Sequence, residues 1–372
     1  MKLNSICVGL MNNINRNAGQ KFLTILCSQC HVKDIFFTDW EGPWITTDFA
    51  YEAALAFLNN YEFFRRLSQY DDYLAYVVKK EDYEAGDTLR LLAPFLVAAE
   101  VTKEELYRLS EKIATFVPDA LEAMNWLLKR YAPVVISTSY SIYLEKTARM
   151  LGISEHLHGT PFDPERYSMD REERKWLLDQ VDVIASLPQI EIEDSRISDD
   201  AKEAVEYLDR LFWEEMPKRS AGAVLNDVKA VGGRRKLEIV KQYAFRHRIS
   251  ADKLIVIGDS ISDYAMLQWV REMGGVAIAF NGNEYALKHS NLFIISETAW
   301  AEAAVVDVFF RHGRDGVVEL ARGRFSKLDD ELIEKVDGRA EFYWYEDVDW
   351  QEVRAKCEEM RKKVRGEAGT LG

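Results

Sequence analysis

The chain has 372 residues, with 48 Lys and Arg against 62 Asp and Glu, a formal net charge of −14. That length predicts two compact units, and 48% apolar residues with only 20 Gly and 8 Pro exclude a disordered or fibrous chain. The acidic balance argues against nucleic acid and against an anionic membrane surface as partners. No apolar run approaches the roughly 18–20 residues that cross a bilayer. Four cysteines are too few for a secreted disulfide scaffold, and the opening residues make a poor signal peptide, so a reducing cytoplasm is expected.

Residues 1–32 read as an N-terminal extension. Within it, Cys27-Ser28-Gln29-Cys30-His31 fits the C-x-x-C-H spacing of covalent haem attachment; half of a zinc site and a pair of reduced thiols stay open beside it. The short aromatic and β-branched run Ile35-Phe36-Phe37-Thr38 predicts a buried strand, which ends at Asp39-Trp40-Glu41-Gly42-Pro43. The Gly-Pro pair stops that strand and leaves two carboxylates on an exposed loop, at the strand end where open parallel sheets place their chemistry. From 48 to 131 apolar residues recur at helical spacing behind polar caps such as Asp71 and the Thr102/Glu105 pair, which predicts an inserted helical domain.

Pro133 to Ile136 predicts a second strand, ending in Ser137-Thr138-Ser139 ahead of a helix, a place where small hydroxyls suit an anion. Residues 167–221 are charge-rich and helical and read as a second, smaller insertion. A helix over 235–247, a strand over Leu254 to Ile257, the turn Gly258-Asp259-Ser260-Ile261-Ser262-Asp263 and a strand over Val276 to Phe280 follow. Strands alternating with helices predict a Rossmann-like, doubly wound parallel sheet, an α/β core assembled from 33–47, 132–166 and 222–300. Residues 301–372 read as a C-terminal helical extension around the aromatic stretch Phe342 to Tyr345.

Three acidic strand ends at one mouth of such a sheet repel unless a cation joins them. Asp39, Asp259 and Asp263 with a loop carbonyl would suit Mg²⁺ working on a phosphate. Taken singly each acid could be a helix cap, since Asp and Ser are common at strand-to-helix turns.

The ensemble resembles the haloacid dehalogenase superfamily of phosphohydrolases and phosphotransferases over roughly 34–296. That family's strand-ending D-x-D-G pattern is matched by Asp39-Trp40-Glu41-Gly42, its apolar strand ending in a hydroxyl by Val134-Val135-Ile136-Ser137, and its lysine by Lys236. Its G-D-x-x-x-D is matched by Gly258 to Asp263, 23 residues after that lysine (259 − 236). The gaps of 98 (137 − 39) and 99 (236 − 137) residues fall where the family inserts caps. The helical insertion looks most like the phosphoserine-phosphatase group. A short stretch around Asp39 to Glu52 also resembles an archaeal branch related to energy-converting hydrogenase A subunit R.

The resemblance implies a Mg²⁺-dependent phosphatase of a small phosphorylated metabolite, with Asp39 as nucleophile forming an aspartyl-phosphate. It implies Mg²⁺ held by Asp39, the Glu41 carbonyl and Asp259, with Asp263 orienting that set, and Ser137 and Lys236 on the phosphate. Glu41 stands where the family usually has Asp as acid and base, and Pro43 where it prefers Thr or Val. Those departures keep a second reading open, a catalytically degenerate relative serving as a binding or assembly subunit.

Overall fold

A computed structural model describes residues 34–193 and 196–370; the extension carrying Cys27, Cys30 and His31 lies outside the described residues. The centre is a seven-stranded sheet in the order β3-β2-β1-β6-β7-β8-β9. It comprises β1 (Ile35–Thr38), β2 (Ala132–Tyr140), β3 (Leu157–Thr160), β6 (Ile255–Gly258), β7 (Val276–Phe280), β8 (Leu292–Ser296) and β9 (Ala340–Trp344); β4 (Ile192–Glu193) and β5 (Arg196–Ile197) form a separate small ribbon. The first six strands of the sheet are parallel, and β9 runs antiparallel along β8 from Leu292↔Trp344 to Ser296↔Ala340. This is the doubly wound α/β class that the strand–helix alternation predicts.

β1, β6, β7 and β8 are buried at every residue, as strands covered by helices on both faces must be, and their sequences are accordingly near-continuous apolar runs. β9 differs. Phe342 and Trp344 are buried while Glu341 is exposed and Tyr343 half-buried, the period-two alternation of an edge strand. It lies inside 301–372, which the sequence presents as helical because long helical patterns flank it.

The two insertions pack together in one layer. Helix Tyr61–Asp72 lies along helix Arg171–Ser186, Arg66 Nε donates to the Leu187 carbonyl at 2.8 Å, and Tyr70 donates to Asp209 while accepting from Trp213 Nε1 at 2.8 Å. Entry and exit of the first insertion are clipped together, Thr46 N to Thr115 O at 2.8 Å and Val117 N to Trp44 O at 3.0 Å. Helix Ala120–Leu128 instead packs on helix Trp300–Ala321, with Trp126 edge-on to Trp300 at 6.1 Å.

A clasp fastens this layer to the sheet. The segment 82–87 meets 229–235 through Lys229–Asp82, Arg234 Nε–Glu84 at 2.5 Å and Arg235 Nη1–Asp87 at 2.6 Å. Gly232 allows the approach: a Cβ there would lie 1.9 Å from the Ala85 carbonyl oxygen. On the other side of the sheet, helix Trp350–Arg365 buries Val353 and Cys357 and carries its last turn back toward the C-terminal ends of the central strands.

Candidate active site

The parallel sheet delivers its acidic residues to one edge. Asp39 follows β1, Asp259 follows β6, and Asp263 closes the next turn; they are 4%, 1% and 0% exposed. Their carboxylates each place one oxygen within 4.8 Å of the others. Asp39 is therefore buried rather than carried on an exposed loop, because Trp40 and Trp44 both turn inward, their indoles donating to Thr147 and Thr38 at 2.8 Å, and pull the loop down. The Asp39 amide donates to the Ile257 carbonyl at 2.9 Å and its own Oδ1 accepts from Trp40 N at 2.7 Å, which fixes the carboxylate against the sheet.

Lys236, in the first turn of helix Arg234–His247, is fully buried and joins Asp39 Oδ2 at 2.8 Å to Asp263 Oδ1 at 2.7 Å. The other Asp263 oxygen accepts from the amides of Asp259 at 2.9 Å and Ser260 at 3.1 Å, so its carboxylate ties the loop together. Burial, then the Asp263 carboxylate, push the Asp39 carboxyl up, and Lys236 pulls it back. Burial alone would lower Lys236, but Asp263 and Asp39 more than offset it and keep the ammonium charged.

Glu41 Oε1 accepts from Phe49 N at 2.9 Å, at the start of helix Phe49–Leu58 that Asp48 caps. Burial and the neighbouring Asp48 raise its carboxyl well above the usual range, against the Phe49 amide and Arg365. Gly42 holds φ +103, and a Cβ there would lie 2.2 Å from Asp259 Oδ2, so this loop has room only for glycine. Asp259 Oδ2 itself is paired with Arg361 and with Arg365, the latter at 2.8 Å, both from the far end of the chain.

The structure thus brings Asp39, Glu41, Lys236, Asp259 and Asp263 to one place. Ser137 at the expected strand position is fully buried, its hydroxyl accepts from Ser139 N at 3.1 Å, and, like Lys236 and Asp263, it does not line the cavity itself. Thr138 does line it, because β2 runs on to Tyr140 with an irregular register after Ile136. Thr138, Arg361 and Arg365 are among the lining residues that the sequence motifs do not mark.

The cavity over Asp39 measures about 100 Å³ and also touches Asp48, Asp71, Asp72, Asp259 and Ser262. A larger one of about 600 Å³, lined by Tyr76, Tyr83, Arg234 and Tyr264, shares Ile261 with it. A divalent cation fits the donor chemistry, three buried carboxylates with a backbone loop beside them.

Residues 112–306 match the family model of haloacid dehalogenase-like hydrolases, more than half of the chain. Among solved structures, gene product AF1437 from Archaeoglobus fulgidus is 44% identical with a TM-score of 0.80, over 91% of this chain and 99% of that one. More distant likenesses are a phospho-aspartyl intermediate analogue of phosphoserine phosphatase (14% identity, TM-score 0.41, 69% and 91% covered) and the hydrolase t0658 from Salmonella enterica serovar Typhi (14%, 0.43, 72% and 72%). No curated protein matches the chain.

Proposed function

The chain belongs to the haloacid dehalogenase-like hydrolases, and from this we propose a Mg²⁺-dependent phosphatase of a small phosphomonoester that works through an aspartyl-phosphate on Asp39. The observation that carries it is the contact set Asp39–Lys236–Asp263, drawn from three distant segments and buried beside Asp259.

In this reading a carboxylate oxygen of Asp39 attacks phosphorus, the Asp39 O–P bond forms, and the ester O–P bond breaks as Glu41 gives its proton to the departing oxygen. Water then loses a proton to the Glu41 carboxylate and attacks the same phosphorus, and the Asp39 O–P bond breaks to release phosphate. Lys236 holds the Asp39 carboxylate in place and offers its charge to the transferring group. Asp39, Asp259 and the Glu41 carbonyl would hold Mg²⁺, with Asp263 orienting the loop. When bound, the ion screens an anionic nucleophile from an anionic substrate.

Residues 48–115 and 167–221 serve together as the cap, helix Ala120–Leu128 packing instead on helix Trp300–Ala321. A cavity of about 100 Å³ is small beside the ~300–1,000 Å³ of ordinary ligand sites, so the cap must lift to admit substrate. The larger aromatic-lined cavity past Ile261 then suits the leaving group. A small phosphorylated metabolite in the cytoplasm fits this site; among the described residues no helix is long and apolar enough to cross a membrane.

The test is hydrolysis of a phosphomonoester panel with and without Mg²⁺, beside Asp39→Asn. The reading expects turnover that chelation and the substitution each abolish, and turnover surviving either one refutes it. The binding-subunit reading draws on the two arginines already paired with Asp259, and expects no turnover on any panel member at any Mg²⁺ concentration.

A further inference from the structure

Arg361 and Arg365 sit at i and i+4 in the last turns of helix Trp350–Arg365, hence on one face. Their side chains are only 4% and 5% exposed. A guanidinium buried to that degree needs a charged partner and a filled hydrogen-bonding fork. Both take the same partner, Asp259 Oδ2. Arg361 Nη1 also donates to the Asp259 carbonyl at 3.1 Å and its Nε to the Gly369 carbonyl at 3.0 Å. Arg365 Nε reaches the Thr46 carbonyl at 3.3 Å. Gly369 lies in the final turn, Gly366–Thr370, which folds back after Gly366 at φ +56. Both buried guanidiniums among the last ten described residues are therefore anchored on the Asp259 carboxylate.

That carboxylate is the one a divalent ion at the acidic cluster has to use. An oxygen offers two lone pairs. Those of Asp259 Oδ2 already face two guanidinium donors, and the Gly42 backbone closes a further side. A doubly charged ion arriving beside two fixed positive charges would meet repulsion, with Oδ2 taken and only Oδ1 of that carboxylate not facing an arginine. The family match ends at residue 306, so the two arginines lie outside the matched region while Asp259 lies within it.

We propose that Arg361 and Arg365 are a built-in competitor of the divalent cation for Asp259, so that metal loading and release of residues 361–370 are one coupled event. The inference rests on the metal-dependent reading of the site given above. The tail closes the site while the ion is absent, and the ion frees the tail. By reciprocity, the factor by which the docked tail weakens metal binding equals the factor by which metal loosens the tail.

The test uses the full chain, stripped with EDTA, and Mn²⁺ as probe. Hydrogen exchange of the 361–370 amides is compared with and without Mn²⁺, and Mn²⁺ affinity is titrated for the parent, Arg365→Gln and Lys363→Gln. Coupling of the usual size predicts exchange in 361–370 about fivefold faster or more with Mn²⁺ bound, and Mn²⁺ about tenfold tighter in Arg365→Gln, whose tail already exchanges fast without metal. Lys363→Gln removes the same charge from an exposed position on the same helix and should leave the affinity near the parent value. Mn²⁺ that binds the parent while leaving the tail equally or better protected overturns the competition and spares the phosphatase reading. A parent that binds neither Mn²⁺ nor Mg²⁺ overturns both. The parent exchange measurement needs no variant to fold.

Discussion

Glu41→Gln separates a proton-transferring Glu41 from one that only holds the loop. The one contact its side chain makes to backbone is accepted by Oε1 from Phe49 N at 2.9 Å, and the glutamine carbonyl can accept the same bond. Stability should therefore change by less than about 1 kcal/mol, the worth of one ordinary hydrogen bond. What the amide cannot do is give and take a proton. A positioned acid–base contributes about 10²–10⁴ in rate, or roughly 3–5 kcal/mol at ~1.36 kcal/mol per decade. Burial and Asp48 push the carboxyl toward its protonated form, the form that must protonate a leaving oxygen. With p-nitrophenyl phosphate the leaving group hardly needs that proton, whereas water attacking the aspartyl-phosphate must lose one. Formation of the intermediate should survive and its breakdown should stall, so stopped-flow mixing should give a burst of nitrophenol approaching one per active site, then a slow steady state. A normally folded Glu41→Gln with the parent's steady-state rate and no burst would show that Glu41 takes no part in the chemistry.

Gly42→Ala should cost about 1–3 kcal/mol from the positive φ alone, read from urea denaturation, and should also weaken Mg²⁺ binding because its Cβ displaces Asp259; unchanged stability and affinity would contradict the geometry. Asp87→Ala should cost about 2–5 kcal/mol, since it strands Arg235 and the amides of Glu84 and Ala230 that the buried carboxylate serves; an indifferent denaturation midpoint would mean the clasp does not hold. The metal-free protein should lose stability as pH rises. Burial and Asp263 carry Asp39 from 3.8 to about 8, and burial raises Glu41, Asp71 and Glu302, so in that window the folded state binds more protons than the unfolded one. A denaturation midpoint that is flat or rising between pH 4 and pH 8 contradicts this.

The parts of the site legible in the sequence are those whose backbone setting dictates residue type. Asp39, Asp259 and Asp263 end runs such as Ile35-Phe36-Phe37-Thr38 that can only be buried strands, and Lys236 opens a helix at a fixed remove. Ser137 is the hydroxyl the strand pattern marks, whereas Thr138 in the cavity wall is not marked, because β2 runs on past Ser137 to Tyr140 with an irregular register. Arg361 and Arg365 give no local signal, because basic residues in a helix's last turn ordinarily answer its dipole or meet solvent. Only the path of the chain over β8 and β9 brings them to Asp259, and β9 itself was hidden inside a helical context.

The placing of β1 in the middle of the sheet bears on how the molecule assembles. Phe37 has Val134 on one side and Val256 on the other, partners 97 (134 − 37) and 219 (256 − 37) positions later in the chain. β1 thus has neither edge paired until residues 132–140 arrive and both only once 255–258 do, and loop closures of that length slow folding. The helical segments between those partners have neighbours of their own, helix Tyr61–Asp72 against Arg171–Ser186 among them, and need no strand to begin packing. Refolding from urea should then show an early rise in helical circular dichroism, with the Asp39 amide, bonded to the Ile257 carbonyl, protected from pulse-labelled exchange only in the last phase. Protection of that amide in the first phase would reverse the order.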